Sequence, residues 1–380
     1  MKNLFTLKTL FLTTVFMLFC CLSIQAADDE LITKQVTVKL DKAGTLPDKI
    51  GSTKKYKITN LKIVGELNGT DWLLIRDMAG GNYEGRPYES EGKLATLDLS
   101  DAKIVSGGDN YFSGWWNGEL AYTSKDVLGA YAFYGCTSLV SLILPKDITK
   151  IGEWAFSECS KLTDIAIPAS VTSIGKVAFS NCTSLTSIMI PFGVVSIEWM
   201  TFENCTSLTD IVIPTSVTSI GDDAFNGCKG LTGITIPSSV TSIGGGAFSG
   251  CSGLTSLSIH SGVTSIGGYA FYNCSGLTSI YVYAEKMPKL GANMFDGCDA
   301  KNCKVYVPKG TYDDYWLSEF GYFENIEEFD VTGIDKVSTS SDVKEEVSRY
   351  SVNGQRLSVP TKGLNIVKYS DGSVKKIAVQ

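Results

Sequence analysis

The chain has 380 residues, with 33 Lys and Arg against 40 Asp and Glu and a single His. A net charge of −7 excludes the clustered basic face of a nucleic-acid binder, and 44% hydrophobic with 19% charged residues exclude a chain disordered throughout. One His excludes a multi-His metal centre and leaves His260 alone for any His-dependent triad.

In chain order, residues 1–26 read as a secretory signal peptide. Lys2 and Lys8 supply the positive start, residues 10–22 the apolar run, and Ile24, Gln25 and Ala26 a cleavage site before Ala27. The run is shorter than the ~20 residues of a membrane span, and no later segment is apolar enough to be one. Residues 27–93 form an N-terminal cap region. Residues 35–40 alternate like a strand, 61–63 read as another, and 71–78 have helical spacing, capped by Thr70 or Asp71 and ended at Gly80 and Gly81. Leu94, Leu97 and Leu99 then open an irregular repeat. Residues 107–124 interrupt it with Tyr111, Phe112, Trp115, Trp116 and Tyr122, rings that either cover the open end of the array or form a platform for a partner.

From there a fixed period takes over. Cys stands at 136, 159, 182, 205, 228, 251 and 274, every interval being 23 residues. Phe133, Phe156 and their successors to Phe271 keep the same register, as do Leu139 to Leu277 and Pro145 to Pro237, with His260 in the next proline slot. Such a period signals a solenoid in which each coil buries its apolar positions against its neighbours. Leu162, Ile165 and Ile167 have the i, i+3, i+5 spacing of a repeat strand, and residues 171–174 a second, shorter one closed by Gly175. A unit this short, rich in Thr, Ser, Ile and Val, favours extended structure over a long helix. Glu198, Trp199, Met200 and Thr201 replace the usual Gly-x-x-Ala, so that corner is expected to differ.

The segments 155–165 and 167–175 resemble BspA-type leucine-rich repeats, a family found on secreted and surface proteins of Bacteroides-like bacteria and in some parasitic protists. The likeness covers 131–283 closely, and 94–130 and 284–330 loosely. It implies a β-rich leucine-rich-repeat solenoid, a right-handed superhelix or horseshoe over 94–330, with an N-terminal cap and a small C-terminal β module.

The periodic cysteines read as a buried free-thiol ladder. Rungs about 4.8 Å apart with parallel Cβ vectors do not suit disulfides, whose Cβ atoms converge. Cys298 and Cys303 stand outside the strict period, and their spacing in an exported chain allows a local disulfide. No Cys-x-x-Cys is present to suggest zinc or thioredoxin-like chemistry. Residues 305–308 read as a last strand and 312–323 as a short aromatic helix. A polar linker covers 331–346. Residues 347–380 form a small β module, with hairpin turns at Asn353-Gly354 and Asp371-Gly372. This module resembles the C-terminal sorting domains of the type IX secretion system.

The motifs point to binding, with no catalytic residue, cofactor or metal. Asn181, Asn204 and Asn273 fit glycosylation sequons, which the repeat itself generates. The exposed positions of Leu-x-x-Ile-x-Ile stack into two columns, and Ile143, Asp164, Ala166, Met189, Asp210, Val212, Thr235 and Tyr281 form the candidate strand face. One column is expected to be apolar toward its N-terminal end and polar toward its C-terminal end. The resemblance implies adhesion: an extracellular or outer-surface protein that binds a host or microbial surface protein. A glycan-binding module using Tyr111, Phe112, Trp115 and Trp116 is the alternative, and a self-associating surface protein a third reading. The oligomeric state stays open.

Overall fold

The structure, a computed structural model, describes residues 30–81, 90–114, 118–331, 346–351, 356–357, 362–369 and 374–379. The leader 1–26 and most of the linker lie outside them. The 23-residue unit folds into a coil with three sides. On the first, strands Ser141–Ile143, Asp164–Ala166, Ser187–Met189, Asp210–Val212, Gly233–Ile236, Ser256–Ile259, Ser279–Val282 and Lys304–Pro308 follow one another, paired parallel and in register in three sets: the first two, the next two and the last four. Alternation sends Leu142, Ile165 and Ile188 inward and their neighbours out. The second side holds two-residue strands from Val127–Leu128 to Lys289–Leu290, again parallel and in register.

The third side makes no regular strand, but its hydrogen bonds are as periodic. The N–H groups of Phe133, Phe156, Phe179 and Phe202 donate forward to the next coil at Ala155, Ala178, Thr201 and Ala224 (2.7–2.8 Å). To aim them, each coil puts two residues in the left-handed region, one before Ala-Phe and one before Cys. The non-glycine members, Tyr131, Trp154, Val177 and Met200 among them, have φ between +52° and +64°. Asn and Gly dominate the second position because they adopt this conformation at least cost. That is why Asn precedes Cys at 181, 204 and 273: the apparent sequons follow from backbone geometry.

The interior is a set of ladders. The rings of Phe133, Phe156, Phe179, Phe202, Phe225, Phe248, Phe271 and Phe295 stack with centroids 5.0–5.7 Å apart and planes within 13°. Both ends of the stack are closed edge-on. Trp72 meets Phe133 at 61°, and Phe323 meets Phe295 at 65°.

Trp72 belongs to a helix, Gly69–Met78, that begins earlier than the spacing predicts. Asn68 is its cap, and Asp71 serves as the reciprocal partner of a capping box. The buried Asp71 carboxylate also accepts from the Gly44 and Leu46 N–H groups, tying the first helix, Leu46–Ile50, to the second. Strands Val36–Lys39, Asn60–Leu67 and Thr96–Ile104 extend the first-side sheet in parallel, so the cap region continues the solenoid's own sheet.

At the other end the expected helix over 312–323 is divided. Tyr312–Trp316 is α-helical, and Glu319–Tyr322 is a 3-10 turn started by Ser318, whose hydroxyl accepts from the Phe320 N–H. The last strand is Asn325–Phe329, one beyond Lys304–Pro308. In the C-terminal module, Arg356–Leu357, Glu346–Ser351, Gly363–Tyr369 and Val374–Val379 form an antiparallel sheet in that order. The two turns read from sequence lie outside the described residues.

Consecutive coils approach closely at Gly152, Gly175, Gly221, Gly244, Gly267 and Gly291, which donate to the preceding coil at 2.7–2.9 Å. A Cβ at Gly244 would lie 2.4 Å from the Asp222 nitrogen. Glu198 holds this position in one coil. There the short-strand ladder lapses between Ser173–Ile174 and Ser196–Ile197; the long-strand ladder lapses on both sides of the pair Ser187–Met189 and Asp210–Val212. The corner therefore departs from the repeat as expected, because a side chain at 198 cannot come as close as a glycine. Gly244→Ala should lower unfolding stability by about 1–3 kcal/mol through overpacking, read as a fall in the urea midpoint at unchanged slope.

Candidate functional site

The first-side columns are the most regular outward surface. In register one reads Ser141, Asp164, Ser187, Asp210, Gly233, Ser256, Ser279, Lys304, and the other Ile143, Ala166, Met189, Val212, Thr235, Ser258, Tyr281, Tyr306. Ile143 is 41% exposed, and Asp164 and Thr235 are exposed. Ala166, Asp210, Val212 and Tyr281 are half-buried. Met189 is buried at 8%, so it breaks the expected apolar strip instead of extending it. In the same coil Phe192, Val195 and Trp199 are exposed where other coils carry Thr, Ser, Lys, Asp, Glu or small residues. The apolar surface therefore turns the corner of this coil.

The C-terminal end of the face is aromatic, which corrects the expectation of a polar end. Tyr281 stacks on Tyr306 (4.6 Å, 10°) and His260 on Tyr283 (4.8 Å, 10°). Phe329 meets Tyr281 and Tyr283 edge-on at 90° and 86°. The Leu-x-x-Ile-x-Ile spacing accounts for this face only as far as Tyr281. The signal for the rest was the proline slot, where His260 and Tyr283 succeed Pro237.

The aromatic insertion behaves differently from a platform. Tyr111 and Phe112 are buried (1% and 0%), which takes them out of the proposed glycan patch. Phe112 lies between the Tyr131 ring (4.2 Å, 9°) and the Arg76 guanidinium (5.2 Å). Tyr111 donates its hydroxyl to the Ala130 carbonyl, and burial pushes its pKa up. Both close the N-terminal end of the core. Trp115 and Trp116 lie outside the described residues.

The cysteines form the expected ladder. Each thiol from Cys159 to Cys274 donates to the Phe carbonyl of the preceding coil at 3.0–3.2 Å. Cys298 continues the series onto the Phe271 carbonyl at 3.3 Å, and Cys303 is a separate buried thiol near its neighbour's carbonyl. Both are free, which corrects the local disulfide: Cys298 is a rung, held by the coil before it. Burial pushes Cys136 up to about 11, and Cys205, Cys298 and Cys303 up to about 12. Such thiols are poor nucleophiles and poor metal ligands.

The repeat geometry agrees with the sequence comparison. The family of BspA type leucine rich repeat regions matches in six copies over residues 119–232 and 195–315, just over half of the chain. The chain belongs to the BspA-type leucine-rich repeat family. That membership fits a repeat protein of the bacterial cell surface, and no helix among the described residues is long and apolar enough to cross a membrane.

Among solved structures, a leucine rich cell surface protein from Faecalibacterium prausnitzii is similar at 23% identity (69% of this chain, 85% of that one, TM-score 0.34). A T. pallidum leucine rich repeat protein is similar at 27% (56% and 77%, TM-score 0.31), and one from Bacteroides ovatus at 21% (77% and 92%, TM-score 0.25). No curated protein matches the chain.

At pH about 8, where an ordinary thiol is partly ionised, a thiol-specific reagent should leave the nine cysteines of the described residues unlabelled in the native protein and label them all after denaturation. Rapid native labelling at any rung would show that the ladder opens.

Proposed function

We propose that this is a secreted or surface-displayed binding protein that uses its first-side strand face to hold a host or microbial surface protein. The observation that supports this most is the exposed Ile143, with half-buried Ala166 and Val212 in the same column and Phe192, Val195 and Trp199 around the corner of one coil. Exposed apolar side chains spread over several coils of a rigid scaffold suit a large partner better than a small substrate. Asp164 and Asp210 stand in the neighbouring column, where they would set orientation more than affinity.

The experiment is a pull-down from host-matrix and microbial-surface extracts, with bound proteins identified by mass spectrometry. Met189 is buried, so the informative substitutions are Ile143→Asp and Val212→Asp. Together they should weaken capture at least ~10-fold, about 1.4 kcal/mol, without moving the melting temperature. Unchanged capture would remove this face from the reading.

The C-terminal module is read as the sorting and attachment signal, on its resemblance to type IX sorting domains and its small antiparallel sheet. Deleting 347–380 should leave a folded solenoid that accumulates inside the outer membrane. Normal surface display of the truncated chain would sink this assignment.

A further inference from the structure

Between Lys229 and Glu285 the chain has no Asp, Glu, Lys or Arg. More than two successive coils therefore present only neutral groups, mainly Ser, Thr and Gly. On the strand face this stretch supplies Gly233, Ser256 and Ser279 in one column and Thr235, Ser258 and Tyr281 in the other. The next charges along these columns are Asp210 on the N-terminal side and, on the C-terminal side, Lys304 and Glu327, which are paired with each other at 3.0 Å.

The second column steps from a small side chain to a large ring between Ser258 and Tyr281. The Tyr281 ring is supported from the C-terminal side, by Tyr306 stacked behind it and Phe329 edge-on. Its other face looks along the column over Ser258 and Thr235, which are too short to cover it. His260 follows the Ser256–Ile259 strand and is held by its stack on Tyr283. The result is a ledge. Its wall is a rigid aromatic face, its floor carries the hydroxyls of Thr235, Ser256 and Ser258, and His260 borders it. With coils about 4.8 Å apart, the neutral floor continues for roughly 10 Å in front of the wall.

We propose that this ledge is a binding site for a neutral carbohydrate, with one pyranose ring against Tyr281 and the next residues lying over Ser258 and Thr235. A pyranose has an apolar C–H face to set on an aromatic ring and hydroxyls that pair with short hydroxyl side chains. An apolar side chain laid over the floor would leave its hydroxyls without partners. The ring quadrupole alone would also attract a cation, but no carboxylate stands on the floor to favour one. This site lies at the far end of the face from Ile143, does not use the buried Tyr111 and Phe112, and stands or falls independently of the protein-binding reading.

The test uses the chain from Ala27 to the C-terminus. Maltohexaose, cellohexaose, mannohexaose and chitohexaose serve as neutral probes, and a heparin hexasaccharide as the charged control, each titrated by calorimetry. At least one neutral probe should bind saturably, with an affinity unchanged between about 50 and 500 mM salt. Tyr281→Ala should weaken it at least ~10-fold. Tyr281→Phe, which keeps the ring face, should retain it. Ser258→Trp, which fills the ledge from a half-buried, outward column position, should block it even if Tyr281→Ala perturbs the fold. Ile143→Asp should have no effect. The proposal is overturned if none of the four neutral probes binds, if binding survives Ser258→Trp, or if only the heparin probe binds and salt abolishes it.

Discussion

Everything in this protein depends on the contact between one coil and the next. A single coil cannot close a core or satisfy its own corners, so each takes both from its neighbours. The phenylalanine carbonyls show how tightly this is drawn. The Phe156 carbonyl accepts the Cys159 N–H within its own coil and the Cys182 thiol of the following one, using both lone pairs. The Phe156 N–H meanwhile donates forward to Ala178. Cysteine suits this position because it is small, apolar enough to bury, and still able to donate weakly. Alanine would leave the carbonyl one partner short. The thiol count, which could have meant redox or metal chemistry, is a consequence of stacking.

A stack of this kind has two open ends, and most of the sequence outside the repeat deals with them. At the N-terminal end Trp72 turns its ring edge to Phe133 and its indole N–H to the Ala132 carbonyl (2.9 Å), while Arg76 donates to the Tyr131 carbonyl. A buried guanidinium is costly unless paired, and here the carbonyl and the Phe112 ring offset part of that cost. At the C-terminal end Phe320 and Phe323 cover Phe295, and the Tyr315 and Tyr322 hydroxyls take up the Ala284 and Cys298 carbonyls. Both caps combine an edge-on ring with donors for the last unpaired carbonyls.

The same stacking organises the surface. Any substitution at an outward position becomes part of a column, so a few changes in neighbouring coils produce a strip, a ledge or an uncharged belt without altering the scaffold. The apolar positions, with Asp164 and Asp210 beside them, lie toward the N-terminal half of the face. The neutral hydroxyl floor and its aromatic wall lie toward the C-terminal half. One scaffold thus offers two chemically different surfaces about 30 Å apart, at about 4.8 Å per coil from Ile143 to Tyr281.

The amino-acid sequence by itself determined the period, the inward positions and the thiol ladder. These follow from local spacing: a residue that recurs every 23 positions must face the same neighbours in every coil. The odd corner at Glu198 was legible for the same reason, as a side chain where the unit requires glycine. What only the tertiary structure decided lies where that period fails. Tyr111 and Phe112 look like exposed rings in an insertion, but the open core end draws them in. Met189 occupies an outward position and is nonetheless buried. Cys298, one residue late, is still a rung. Asn325–Phe329 has no repeat motif and becomes a strand because Lys304–Pro308 offers it an unpaired edge. The cluster of His260, Tyr281, Tyr283, Tyr306 and Phe329 draws on four strands, and only their stacking brings the rings together. Periodic contacts can be read along the chain; contacts at the ends and between unlike coils depend on which backbone lies next to which.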